Sequence, residues 1–362
     1  MRQLRYGTWM KVTVAAVLSA AVIVVGWEQR DALFVPQDSQ PGAQGTPSPS
    51  ATPSGRTSSP SSMRAGRAGN RADATLRKAQ RRHSRAARAL AAKVMAHSRL
   101  LGSSTQFTMV SFNALGASHT GGHGDRARMA PGAVRAHWVG QILQAHHADV
   151  VSLQEWQAPQ SAAFSRAFGG TFSLWPGTSR RGWDGQNSVA WRRSRFELVK
   201  AETRSYPYFH GHRRPYPQVL LRDRANGVEF WVTSYHNPAF PQNVGWRHRA
   251  VAEEVANANA LLRQPGHAPL IIAGDMNDHA GFWCPFATGS AMHAANGGSG
   301  AGGCRMPAVQ PRPYGFDWIL GSPGVQFSGY TWDAGPLVRR TTDHPVVIAH
   351  AKVWRTDRVP TR

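Results

Sequence analysis

The stretch Pro269-Leu270-Ile271-Ile272-Ala273-Gly274-Asp275-Met276-Asn277 decides the reading of this chain. Its apolar run reads as a buried strand, and Gly274 as a tight turn at its end. Side chains along an extended chain alternate, so Asp275 and Asn277 can be aimed at the same side. Asp275 can orient or deprotonate an attacking water, and Asn277 can donate to a phosphate oxygen. A plain Asp/Asn turn is the bland alternative.

Five more polar fragments accompany it in a fixed order, most of them ending an apolar run. They are Phe112-Asn113, Leu153-Gln154-Glu155, Tyr235-His236-Asn237-Pro238, Phe316-Asp317-Trp318 and Thr342-Asp343-His344-Pro345. Glu155 follows Val150-Val151-Ser152-Leu153, so its carboxylate is expected at a strand end, on a rim where a hard cation such as Mg²⁺ meets substrate. Asn113 ends the first strand, where its amide can orient Glu155 or bind a metal-bound water. His236 follows Phe230–Tyr235, where a protonated imidazole can serve a leaving oxygen. His344 opens the last strand and can take a proton from water, provided an acceptor fixes its tautomer; Asp317 is the natural one. Each fragment alone has a bland reading as an exposed carboxylate, a turn residue or a structural histidine. Together they supply a metal-dependent phosphoesterase: acidic oxygens for a cation, amides for a phosphate and two histidines for proton transfer.

On these fragments the chain resembles the endonuclease/exonuclease/phosphatase superfamily, which includes deoxyribonuclease I, abasic-site endonucleases, bacterial sphingomyelinases and inositol-phosphate phosphatases. The resemblance covers roughly residues 105–353. It implies an α+β fold, a four-layer α/β/β/α sandwich of two packed, mostly antiparallel sheets flanked by helices, with the site at strand ends between the sheets. It implies Glu155 as principal metal ligand, with Asn113 and Asp343 on the metal side. The catalytic set is His236, Asp275, Asn277, Asp317 and His344. His236 resembles the histidine of the deoxyribonuclease and sphingomyelinase branches. Some members pair that histidine with a carboxylate near the segment matching Gly185–Trp191; only Asp184 is near here, so its partner stays open. Mg²⁺ is the implied cofactor, with Mn²⁺ or Ca²⁺ as substitutes.

Composition narrows the partner. The 362 residues carry a formal charge of +22, and Arg greatly outnumbers Lys. Residues 1–104 hold 16 Lys/Arg against 4 Asp/Glu, and residues 105–362 hold 26 against 16, so the globular part is itself basic at +10. That favours a polyanion, with nucleic acid first and anionic membrane or wall polymer next; solubility in an arginine-rich proteome is the plainer account. Cys284 and Cys304 form no CxxC pair, which excludes zinc sites of that type. Export would pair them across a Gly-rich loop; otherwise they are two thiols.

Residues 1–30 read as a signal peptide or signal anchor: Arg2, Arg5 and Lys11 precede an uncharged run from Val12 to Trp27. Either way the remainder is expected outside the cytoplasm, secreted or held by one segment. Residues 31–72, rich in Pro, Ser, Thr and Gly, form a flexible tether, and 73–104 a basic Ala/Arg helix that can contact an anionic membrane, wall or nucleic acid, or serve as a plain solvated linker helix. The catalytic domain spans 105–353, and 354–362 is a tail. Strands are expected at 107–113, 149–154, 188–192, 196–199, 218–222, 228–235, 270–273, 317–320 and 346–353, and helices at 134–147 and 244–262. The GxGxxG string at Gly298–Gly303 follows no strand and is not read as a dinucleotide site. The loop Ser118–Arg128, with His119, His123 and Asp125, is a candidate substrate loop; Trp246, Arg213, Arg214, Arg247 and Arg249 can meet phosphates, with aromatics as stacking surface for bases, but most of them are read as surface arginines and core tryptophans. The expected function is an extracytoplasmic, Mg²⁺-dependent nuclease working as a monomer. The alternatives are a phospholipid or sphingomyelin phosphodiesterase, a small-molecule phosphatase, or a non-catalytic wall- or DNA-binding protein.

Overall fold

The computed structural model describes residues 104–120, 124–179, 186–308 and 315–355. The expected signal segment, tether and nearly all of the basic helix lie outside the described residues, as do Asp184 and the tail beyond Arg355. Among the described residues no helix is long and apolar enough to cross a membrane.

The elements run β1 (Ser104–Asn113), α1 (Gly132–Ala145), β2 (Val150–Gln154), α2 (Ala158–Phe168), β3 (Phe172–Trp175), β4 (Ser188–Arg192), β5 (Phe196–Pro207), β6 (Arg213–Asp223) and β7 (Glu229–His236). They continue α3 (Val244–Leu262), β8 (Leu270–Asp275), α4 (Ala280–Gly289), β9 (His293–Ala294), β10 (Asp317–Gly321), β11 (Val325–Asp333), α5 (Pro336–Thr341) and β12 (Val346–Trp354). Ser104, expected to end the basic helix, instead starts β1.

Two six-stranded sheets result, ordered β11-β12-β1-β2-β4-β3 and β5-β6-β7-β8-β10-β9. All pairings are antiparallel except β1 with β2 and β7 with β8. Each parallel pair needs a crossover, supplied by α1 and α3.

The central strands are apolar on consecutive residues because both their faces are buried. Alternation sorts them between cores. Met109, Val150, Val232, Ile271, Ile319 and Val347 fill the core between the sheets. Their neighbours Val110, Val151 and Ile348 turn outward onto α1 and α2. Trp231, Ile272 and Leu320 turn outward onto α3 and α4. Three cores between four layers give the α/β/β/α sandwich. Each fully buried large side chain contributes roughly 1.5–3 kcal/mol against exposure.

The same parity places the polar ends. Counting by two from the inner residues reaches Asn113 on β1, Gln154 on β2, His236 on β7, Asp275 on β8 and Asp317 on β10. Register sets Asn113 beside Gln154, His236 beside Asp275 and Asp275 beside Asp317. Parallel strands end at one edge, so both parallel pairs deliver their polar termini to one rim.

Candidate active site

Gly274 explains why the strand before Asp275 must end on glycine. Its φ is 156°, and a Cβ there would lie 2.0 Å from the Tyr235 carbonyl oxygen of β7. Only a residue without a side chain lets β8 approach β7 so closely, and that approach sets Asp275 beside His236. Two non-glycine site residues hold left-handed backbone, Glu155 at φ 53° and Asn277 at φ 50°. Such conformations cost about 1 kcal/mol or more and persist where the surroundings enforce them.

Asn113 joins the two sheets at the rim. Its Nδ2 donates to Glu155 Oε1 at 3.1 Å and to Asp275 Oδ2 at 3.0 Å, while its Oδ1 accepts from the Leu115 amide at 3.1 Å. Glu155 Oε2 also accepts from the Gly116 amide at 2.8 Å. Beneath this rim a buried polar belt crosses between the sheets: Ser152 Oγ donates to the Ala273 carbonyl, Gln154 Nε2 to Ser152 and Ser234, and Ser234 Oγ to the Leu153 carbonyl.

Both predicted histidines converge on Asp275. His236 Nε2 and His344 Nε2 each lie 3.6 Å from its Oδ2. His344 Nδ1 lies 2.9 Å from Asp317 Oδ2, the expected orienting contact. Thr342 secures the segment that carries His344: its hydroxyl donates to the Asn113 carbonyl at 2.7 Å and accepts from the His344 amide at 3.2 Å. The Tyr216 hydroxyl donates to the His236 carbonyl, and among the described residues His236 Nδ1 has no hydrogen-bond partner. The Asn277 amide nitrogen donates to Asp275 Oδ1, and its Nδ2 to the Asn237 carbonyl, both at 2.9 Å. Asp343 sits less centrally: its carboxylate accepts from Arg126 at 3.3 Å.

The environments of the two histidines differ. Burial lowers His236, and the nearby Asp275 and Glu155 do not restore it. Burial also opposes charge on His344, but Asp317 and Asp275 outweigh it and hold this imidazole well above its ordinary value. Burial raises Asp275. Burial would raise Glu155 too, but His119, His236 and the Gly116 and Asn113 donors hold its carboxyl far below the usual range.

Some participants were not assigned a role from sequence. His119 Nε2 lies 3.2 Å from Glu155 Oε2, and its Nδ1 lies 2.7 Å from Asp125. The hydrogen bond to Glu155, then Asp125, pushes His119 up to about 9 against burial. The 118–128 loop therefore does reach the site, through His119 and Arg126. Arg214 and Arg247, read as surface residues, are buried. The Arg214 guanidinium lies 3.7 Å over the Tyr208 ring, which meets His236 edge to face at 6.2 Å. Arg247 binds Asp278 at 2.9 Å. Their only sequence signal was an arginine near an aromatic residue. Cys284 and Cys304 are disulfide-bonded, the outcome expected on export.

The donor set fits a hard divalent cation. Glu155, Asp275 and Asp317 bring three carboxylates together at a mostly buried rim, a concentration of charge that a cation offsets. Asp275, Asp317 and His344 place ligand-type atoms within 4.8 Å of one another. Because Asp317 Oδ2 is already engaged by His344, this trio fits a proton relay, and Glu155 is the more available ligand.

The sequence profile of the endonuclease/exonuclease/phosphatase family matches residues 110–344, well over half of the chain, and the chain belongs to that family. It is therefore a phosphoesterase, of a family that depends on divalent metals. A family member from Bacteroides thetaiotaomicron is 16% identical, with a TM-score of 0.53, over 72% of this chain and 99% of its own. The human Nocturnin catalytic domain, solved with a bound sulfate, is 16% identical, with a TM-score of 0.53, over 68% of this chain and 94% of its own. A mannosyl-6-phosphatase of Bacteroides thetaiotaomicron is 15% identical, with a TM-score of 0.50, over 68% and 99%. At these identities the likeness establishes the fold. No curated protein matches the chain significantly by sequence.

Proposed function

We propose that this chain is an extracytoplasmic, Mg²⁺-dependent nuclease that hydrolyses phosphodiester bonds. The observation that carries the reading is the convergence of two histidines from different sheets, His236 and His344, on the single Asp275 carboxylate oxygen at 3.6 Å each. A phosphodiester lying over Asp275 has a proton acceptor on one side and a donor on the other.

His344 takes the proton of the attacking water at Nε2. Asp317 on Nδ1 fixes the tautomer and stabilises the imidazolium that forms. His236 serves the leaving oxygen, to which it donates a proton. Asp275 orients the water between them. Asn277 gives one amide proton to the Asn237 carbonyl and keeps another for a phosphate oxygen. Glu155 would hold Mg²⁺, or Mn²⁺ or Ca²⁺ in its place, with Asn113 orienting that carboxylate and Asp343 at the edge of the metal side. When bound, the cation offsets charge on the phosphoryl oxygens.

The +10 charge of residues 105–362 favours a polyanion over a neutral lipid headgroup or a small sugar phosphate. The Cys284–Cys304 disulfide supports an oxidising compartment, as does the apolar run Val12–Trp27 behind basic residues.

The test is plasmid nicking by the full chain in Mg²⁺ or EDTA, beside His344→Ala. Nicking that needs Mg²⁺ and is lost in the variant is expected. Absence of nicking, together with hydrolysis of phosphatidylcholine or sphingomyelin vesicles, would replace the nuclease with a lipid phosphodiesterase in the same family.

A further inference from the structure

Beside Asn277 the surface opens into a depression of about 670 Å³. Phe240, Val244, His279 and Phe316 line it together with Asn277 and Arg247. Asn277 is shared with the catalytic cluster through its 2.9 Å bond to Asp275. The depression therefore begins where the phosphate is expected, and its volume falls in the range of ligand-binding clefts.

Phe240 is its unusual member. It is 63% exposed, the most exposed large apolar side chain among the described residues. Its φ is 70°, a left-handed conformation that is costly for a bulky residue. The turn is pinned from within: Arg247, itself buried, donates to the Pro238 carbonyl at 2.8 Å and the Phe240 carbonyl at 3.3 Å, and is tied to Asp278. The Asn243 amide also donates to the Phe240 carbonyl, at 3.1 Å. The Phe209 ring lies roughly parallel to Phe240 at 6.4 Å. The Phe316 and His279 rings, which line the same depression, meet at 4.8 Å. The fold thus holds a large aromatic ring in water, in a strained backbone, beside a phosphate site.

Resting on the nuclease reading, we infer that this depression is a nucleobase subsite, which stacks the base next to the scissile phosphate on Phe240, with Phe316 and His279 as further aromatic lining. A flat base suits an aromatic-lined cleft, and stacking accepts any base. The short tether of one nucleoside matches the direct adjacency through Asn277. A membrane would instead call for a broad convex apolar surface; here the exposed Phe240 ring lines a concavity that Arg247 and Asp278 also line.

The test uses substrates with one phosphodiester each: thymidylyl-thymidine and its two analogues lacking the 5′ or the 3′ base. The full chain, Phe240→Ala and Phe240→Trp are compared in Mg²⁺. One base is expected to raise kcat/KM by roughly 5- to 100-fold, mostly through KM. Phe240→Ala is expected to bring that ratio towards one, and Phe240→Trp to keep it. A ratio near one in the wild type, or one unmoved by Phe240→Ala, overturns the subsite while leaving the nuclease standing. Hydrolysis of none of the three alongside hydrolysis of phosphatidylcholine vesicles overturns both. Because Phe240 is exposed, its replacement leaves the cores intact, and an unchanged unfolding midpoint checks this.

Discussion

Glu254 offers a sharp test of the electrostatics behind the site. It lies on α3 with no exposed surface. Its Oε2 accepts from Asn237 at 3.3 Å, and its Oε1 has no hydrogen-bond partner among the described residues. Asn237 in turn binds the Asn277 side chain and, through its amide, the Asp275 carbonyl. Burial, only partly opposed by Asn237, pushes the Glu254 carboxyl up from 4.5 to about 8. The folded protein therefore holds a proton that the unfolded chain releases near pH 4.5. Its contribution is fully present below about pH 4.5 and is lost as pH rises through about 8. At 1.36 kcal/mol per pH unit, the loss is about 3 kcal/mol by pH 7 and about 5 kcal/mol above pH 8. Glu254→Gln keeps the shape and cannot ionise, so it should remove this slope. The assay is urea unfolding, followed by tryptophan fluorescence, of both proteins from pH 5 to pH 9. The variant should gain on the wild type steadily as pH rises. Parallel stability curves across that range would refute the claim that Glu254 is buried and protonated.

Two further predictions concern the site. Asp317→Asn keeps the contact with His344 Nδ1 but removes the charge that fixes its tautomer, so kcat is expected to fall about 10²- to 10⁴-fold with KM little changed; steady-state kinetics showing kcat close to wild type would remove Asp317 from the relay. Gly274→Ala drives a Cβ to 2.0 Å from the Tyr235 carbonyl oxygen and forces β7 and β8 apart. The expected destabilisation is roughly 3 kcal/mol or more, read as a lower denaturant midpoint, and an unmoved midpoint would show that the strand pair has slack.

Much of the site was legible in the sequence because period-two alternation converts strand position into direction. Asp275 follows a buried strand, and Glu155, His236 and Asn113 lie at or just beyond the ends of others, so the parity that buries Ile271 also aims Asp275 inward. The long helix α3 and the central strands were equally legible, since apolar runs and helical spacing are local signals. The elements that went unread were weakly patterned: α2, α4 and the short α5, the edge strands β3, β9 and β11, and the outer halves of β5 and β6. Edge strands carry mixed polarity because one side meets water, which dilutes the pattern.

The sequence by itself determined the family, the order of the polar fragments and the strands that end on them, because each is a local pattern of a few residues. Only the tertiary structure decided which of those ends meet. Nothing local places His119 at 3.2 Å from Glu155, buries Arg214 over Tyr208, or makes Phe240 and Phe316 line one depression. These contacts join residues far apart in the chain, and their geometry comes from how two sheets and their helices pack, which no short stretch encodes.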